Sequence, residues 1–220
     1  MPGLRNLVVA VAAWLAGSAA LSFACSPAWA DVWTLDRSAA QVRFTYDHFG
    51  LSRQSGEIRD IEGKLIFSPT EPERGSVEVV MKAASISTGK EALDRLLRSP
   101  DFFDAGRHPE IRFKSTRVMQ TGDIADRTGE LTGDLTLLGV SHPVTLQVKW
   151  NYTGEYPLSS INSAYINKWV SGFSAKGRIQ RSQWGMQRGI PLLSDDVEIA
   201  IEVEFLRTGT QDAASGLSGG

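Results

Sequence analysis

The stretch that decides the fold is VEIAIEVEF, Val197 to Phe205. Val197, Ile199, Ile201, Val203 and Phe205 share one face, and Glu198, Glu202 and Glu204 share the other. A period of two is what a strand with one buried and one wet face requires. The same alternation recurs upstream. Val42, Phe44, Tyr46 and His48 line up, as do Val77, Val79 and Met81, then Ile111, Phe113 and Ser115. Val144, Leu146, Val148 and Trp150 follow, and then Phe173, Ala175, Gly177 and Ile179. The strands holding Ile111 and Val144 span 111–119 and 143–151, and further strands are predicted at 57–68 and 130–138, about eight strands in all. Each buries one face only, the mark of antiparallel sheet. Eight such strands need a second sheet or closure on themselves, and closure removes the exposed edges. The expectation is a single all-β domain, an eight-stranded antiparallel barrel.

The segments 130–138 and 143–151 read as a hairpin turning through Leu138 to His142, with Pro143 opening the second strand. One short helix fits, at about 89–98. Thr88 would cap it, Ala92, Leu93, Leu96 and Leu97 fall at helical spacing, and Pro100 stops it. The segment that follows, LRSPDFFDAGRHPEIRF, places Phe102 beside Phe103 in a stretch broken by Pro100, Gly106 and Pro109. Leaving both rings in water forfeits roughly 1.5–3 kcal/mol each, so the pair must dock on something apolar. It either plugs the barrel end, the favoured reading, or touches a ligand. Asp101 and Asp104 are expected to order this loop through backbone amides or through Arg98 and Arg107.

Residues 1–30 have the form of a secretory leader. Arg5 opens it, Leu7 to Ala24 is apolar, and Ala28-Trp29-Ala30 is a small-x-small cleavage pattern with the cut expected after Ala30. An uncleaved anchor is the alternative. Lipidation at Cys25 is disfavoured because Ser22 stands where the signal wants Leu. The barrel domain is placed at 31–207, and the small, polar segment 208–220 is expected to be a disordered tail. Cys25 is the one cysteine, so the cleaved chain has no thiol chemistry and must be held by its core. The leader carries one basic and no acidic residue, which takes the net charge from −2 for the whole chain to −3. That balance argues against a nucleic-acid partner.

A barrel of this size either fills with side chains or holds one slender ligand. The inward positions mix aromatics (Phe44, Tyr46, Phe67, Phe113, Phe173) with small residues (Ser115, Gly133, Ala175, Gly177), which fits a tapered cavity or a packed core equally well. His48 ends an inward face. It either bonds a ligand head group at the mouth or bonds a loop carbonyl. Arg181 pairs with a carboxylate or an anionic head group, and Trp184 and Met186 cover the channel end or the core. His48, His108 and His142 are the only histidines, and no spacing brings metal ligands together. No nucleophile-plus-base arrangement, phosphate loop or nucleotide fingerprint is present.

Six motifs, in order, resemble one known family: WTLDRSAAQVRFTYDHFGLSRQSGEI, GKLIFSP, LRSPDFFDAGRHPEIRFKST, LTGDLTLLGVSHPVTLQV, GFSAKGRIQRSQWGM and DVEIAIEVE. Together they span Trp33 to Glu204, and the chain is similar to YceI-like proteins throughout. The resemblance implies a periplasmic, lipocalin-like barrel that is not an enzyme. It implies a prenyl-chain lipid held without a covalent bond, a ubiquinone-type quinone or a polyprenyl phosphate. The expected contact set is Phe44, Tyr46, His48, Phe67, Phe102, Phe103, Phe113, Phe173, Arg181 and Trp184. It leaves room for a homodimer and for a membrane cytochrome or quinone-pathway partner. The rival readings are a quinone-linked enzyme or redox accessory, and a filled barrel that binds a protein. Two positions depart from the family's habit: Leu96 stands where a histidine is usual before Leu-Arg-Ser, and Ser141-His142 replaces Thr-Lys.

Overall fold

The structure is a computed structural model that describes residues 28–157 and 159–212. Eleven strand segments form one sheet: β1 (Ala28–Leu35), β2 (Gln41–His48), β3 (Ser52–Ile58), β4 (Ile61–Phe67), β5 (Ser76–Lys82), β6 (Ile86–Ser87), β7 (Glu110–Thr121), β8 (Thr128–Leu137), β9 (Val140–Glu155), β10 (Trp169–Gln180) and β11 (Leu193–Asp212). Among the described residues there is one α-helix, α1 (Glu91–Arg98), between β6 and β7.

The eleven segments amount to an eight-strand ring because three strands are each broken once. β1 and β2 pair in turn with the same edge of β11. β3 pairs with β2 and β4 with β1, and β5 and β6 pair with β4 and β3. Each pair of halves is therefore one strand with an interruption, at Arg37–Ala39, Arg59–Asp60 and Ala83–Ser85 respectively. With those halves joined, every strand pairs antiparallel with the next in sequence, and β11 returns to the first. The expected eight-stranded antiparallel barrel is what the chain forms.

The interruptions share one level of the barrel, and side chains supply what the ladder lacks there. The Ser85 hydroxyl accepts from the amides of Arg59 (3.2 Å) and Asp60 (2.9 Å). Arg37 reaches across the level to Asp60 and Glu62, at 2.6 and 2.8 Å. These ion pairs are exposed and worth little individually. The strand expected at 57–68 is thus two segments.

Three other expectations need correction. Pro143 is the fourth residue of β9, not its first, because the turn is only Leu138-Gly139, with φ of 54° and 76°. Leu137 pairs with Val140, so Asp134 and Pro143 meet at a position where no rung uses the proline nitrogen. Thr88 does not cap α1; Lys90 holds that position. Instead the Asp94 carboxylate accepts from the Thr88 amide (2.6 Å) and hydroxyl (2.7 Å), tying the first helical turn back to the chain that enters it. Finally, β11 runs to Asp212 and pairs with β1 over residues expected in the tail. The remainder of that tail, and residues 1–27 of the expected leader, lie outside the described residues.

Hydrogen bonds from Thr88 hold the Asp94 carboxyl below its usual range, against an opposing effect of burial. A lowered carboxylate stabilises the fold above its unfolded pKa and loses that contribution as pH falls through the folded one. Asp94→Ala is expected to cost about 1.5–3 kcal/mol, the contribution of hydrogen bonds to a charged group. Urea denaturation at pH 7 checks the loss, and the variant's disadvantage should shrink as the pH drops below about 3.8.

Candidate functional site

The barrel is hollow. A cavity of about 860 Å³ runs along the lumen, lined on nearly every strand by the inward face read from the sequence. Val197, Ile199, Ile201, Val203 and Phe205 of β11 all face it, as do Val144, Leu146, Val148 and Trp150 of β9. Its size lies within the roughly 300–1,000 Å³ typical of small-molecule sites. The filled barrel is therefore not this protein's state.

Glycines explain how so many aromatics leave space. A Cβ at Gly133 would lie 2.5 Å from Cζ of Phe113, and one at Gly56 would collide with the Phe44 ring. A Cβ at Gly177 would lie 2.5 Å from Cδ2 of Leu146. These large side chains lie flat on bare backbone of a neighbouring strand instead of projecting across the lumen. The small residues thus serve the packing and keep the centre open. Gly133→Ala should push Phe113 off the wall at a cost of about 1–3 kcal/mol, the usual penalty for overpacking. Thermal denaturation would register it as a lowered midpoint.

At one end the turn 49–51, α1 with the loop to β7, and the loop 181–192 surround the opening. Phe102 and Phe103 both line the cavity here, Phe102 buried and Phe103 half-buried, with Phe103 6.1 Å from the Phe44 ring. They form cavity wall at this end. Asp104 does bond Arg107, at 2.6 Å, while Asp101 pairs with Arg188 at 3.1 Å instead of Arg98 or Arg107. Arg98 donates to the Ile86 carbonyl at 2.5 Å.

The polar groups at this end are Tyr46, His48 and Arg181, all facing the cavity. Burial raises the Tyr46 phenol above its usual range, partly offset by the positive Arg181. Arg181 is buried and, among the described residues, pairs directly with no carboxylate; three backbone carbonyls receive it. Nε donates to Ser194 (2.9 Å), Nη1 to Met186 (2.9 Å) and Nη2 to Leu193 (3.0 Å). Burial pulls the guanidinium pKa down, and Asp195 and Tyr46 pull it back; it stays charged. Asp195 itself is held by the amide and hydroxyl of Ser182. The guanidinium thus fixes the 181–194 loop and gives this end of the lumen a positive charge. Arg181→Ala strands three carbonyls, each worth about 1–3 kcal/mol when buried and unpaired. Only the Met186 carbonyl is fully buried, so a loss of about 1–3 kcal/mol in chemical denaturation is the expected result.

The His48 ring stacks edge-on against Phe49 at 4.1 Å and makes no hydrogen bond among the described residues. Trp184 is a correction: it is buried in the wall and does not line the cavity. Its Nε1 donates to the Leu135 carbonyl at 3.0 Å, and its ring meets His142 edge-on at 5.2 Å. Its role is to seat the 181–184 turn on β8 and β9. The other nine expected contact residues line the cavity.

Towards the opposite end, Phe67 meets Trp150 and Phe173 edge-on at 5.3 Å each, and Phe173 meets Phe205 at 6.2 Å. β4 and β9 lie across the ring from each other, so this layer narrows the lumen. Beyond it the lining turns polar, with Thr70, Glu73, Gln120 and Arg127. The sequence reading missed Phe49 and Leu96, which line the cavity at the helix end. A phenylalanine in the three-residue turn Phe49 to Leu51, where small or polar residues are usual, was the available signal for the first.

An up-and-down β-barrel with a long apolar lumen belongs to the class of barrels built around small ligands. Comparison with known proteins narrows this: residues 33–205 match the YceI-like domain, and the chain belongs to that family. Protein YceI of Escherichia coli is 32% identical over 188 residues, covering 84% of this chain and 92% of the relative. BcnA of Burkholderia cenocepacia has a similar crystal structure, with TM-score 0.66, 20% identity and coverage of 77% of this chain and 98% of that one. A polyisoprenoid-binding domain from Saccharophagus degradans, implicated in plant cell wall breakdown, shares the fold at TM-score 0.54 and 14% identity, covering 80% and 98%.

Proposed function

We propose that this protein binds a polyisoprenoid lipid in its lumen, in the periplasm, and carries, stores or sequesters it. The long apolar cavity carries this reading. Aliphatic and aromatic side chains make up its wall, with polar groups confined to its ends. Burying one methylene is worth roughly 0.8 kcal/mol, so a five-carbon prenyl unit offers about 4 kcal/mol. Binding costs some 4–15 kcal/mol in lost freedom, so several units suffice. A branched, slender chain fits a narrow lumen that a compact ligand would not fill. The polyisoprenoid-binding domain with the same fold supports the ligand class.

Tyr46, His48 and Arg181 stand where a polar head group, quinone or phosphate, would meet them. Such a set binds and orients; the reading here is a carrier and not a catalyst. The expected leader is compatible with this fold. A cut after Ala30 would fall inside β1, yet all four β1–β4 pairs use residues 31–34 and would remain. Trp29, which would be lost, leaves its Nε1 without a partner.

The test is organic extraction of protein purified from the periplasm, followed by mass spectrometry. A prenyl lipid should be recovered in near-stoichiometric amount. Ala175→Phe, which projects a ring into the lumen, should lower uptake at least tenfold while circular dichroism stays unchanged. Repeated absence of any prenyl lipid, with no uptake of added quinone or polyprenyl phosphate, would refute the proposal. Turnover of an added quinone would favour the redox reading.

A further inference from the structure

The barrel's large exposed apolar side chains include a group of five at the helix end. Leu51 is 83% exposed and Leu192 62%, with Phe49, Leu96 and Ile190 also in solvent. They come from three segments that the structure ties together. The Phe49 amide donates to the Leu192 carbonyl at 2.7 Å. Arg188 meets Asp101 at 3.1 Å, linking the loop that bears Ile190 and Leu192 to the chain leaving α1. Lys90, at the start of α1, reaches Gln54 of β3 at 3.4 Å. Phe49 and Leu96 line the cavity as well as being exposed, so the rim and the lumen wall are one continuous apolar surface.

The backbone places one of these side chains at the opening. Phe49 has φ of 61° and Gly50 of 67°. Glycine accepts this left-handed region, but for a bulky residue it is a true outlier. Such a conformation persists where the surrounding structure imposes it, as the turn between β2 and β3 does. Here it holds an aromatic ring half out in water at the cavity opening. Single exposed apolar residues need no explanation, whereas a joined set at an opening marks an interaction site.

We infer that this rim docks on a lipid bilayer, with Leu51 and Leu192 entering the acyl region beside the opening. This rests on the lipid-carrier reading. An apolar chain could then pass between bilayer and lumen along Phe49 and Leu96 without crossing water. Three features favour a bilayer over a protein partner. The rim is aliphatic apart from Phe49, without the Tyr, Trp and Arg that anchor protein interfaces. It adjoins the very surface the cargo would slide on. Its neighbouring arginines are also satisfied within the chain, Arg53 by Glu198, Arg95 by Glu91 and Arg188 by Asp101. Docking is therefore apolar, with little dependence on salt.

The experiment is flotation of the protein with phosphatidylethanolamine–phosphatidylcholine vesicles, with and without 0.5 M salt as an order-of-magnitude screening condition, beside a transfer assay using a fluorescent prenyl quinone. The comparison is with the double variant Leu51→Asp/Leu192→Asp, which touches neither core nor cavity lining. Wild type should float at both salt concentrations, and the variant at least tenfold less. Transfer of the probe from vesicles should slow at least tenfold in the variant, while its uptake from an ethanol dispersion stays within twofold of wild type. Equal flotation of the two proteins would overturn the inference, as would flotation abolished by salt. A dimer seen by ultracentrifugation and lost in the variant would reassign the rim to a second copy. Transfer that requires a protein in the vesicles would reassign it to that protein. If wild type takes up no probe from dispersion, the carrier reading fails, and flotation still decides the docking.

Discussion

Backbone hydrogen bonds along both edges of β11 hold the barrel shut. One edge pairs with β10 in unbroken register from Val170–Leu206 to Gln180–Asp196. The other edge is divided, with β2 along its first half and β1 along its second. Without that long strand, the two halves would be separate short edges with unpaired amides and carbonyls, open to pairing with other chains. Because it spans both, the chain can interrupt three neighbouring strands at one level and still close. At roughly 3.3 Å per residue, the lining from Leu193 to Phe205 also gives the lumen a wall about 40 Å long measured along the strand.

Closure sets the circumference, and glycine placement sets the free width inside it. Eight strands leave room for side chains or for one thin ligand. Phe44 and Phe113 would tip that balance toward a filled core if they pointed at the axis. Gly56 and Gly133 let them lie down. The exception is the layer of Phe67, Trp150, Phe173 and Phe205, where the rings do meet across the lumen. The two ends consequently differ: one is walled by α1 and Phe102–Phe103 and rimmed by apolar residues, the other is narrowed by aromatics and finished with polar groups.

Most of this was legible in the sequence because a period of two is imposed by the pleat itself. VEIAIEVEF can hardly be anything but a half-buried strand, and Phe44, Tyr46, His48, Phe113 and Phe173 point inward as their spacing requires. The interruptions were not legible. They depend on Ser85, a hydroxyl distant in sequence, taking the place of a ladder partner for Arg59 and Asp60. Trp184 misled because it follows a strand within a dense motif. Its ring faces Leu135 and His142, and only the turn at 181–184 reveals that. Whether small residues meant a void or a tight fit also lay beyond pattern, since each glycine's meaning depends on which ring crosses it from the neighbouring strand. Leu96 was visible as part of the helix's apolar spacing and as a departure from relatives, and its place at the opening supplies the sense of it.

The hollow lumen has a thermodynamic consequence of its own. Residues such as Val148, Ile199 and Ile201 face a gap where a filled barrel would give them neighbours, and the dispersion contacts of that missing layer are forgone. An apolar guest would supply them, becoming in effect an exchangeable portion of the hydrophobic core. Folding and occupancy would then be linked by mass action, with resistance to unfolding rising as the logarithm of free guest concentration. In a compartment where the guest is scarce, the unfilled barrel would be the form that opens first and is degraded first. The protein's abundance would thereby follow the supply of the molecule it holds.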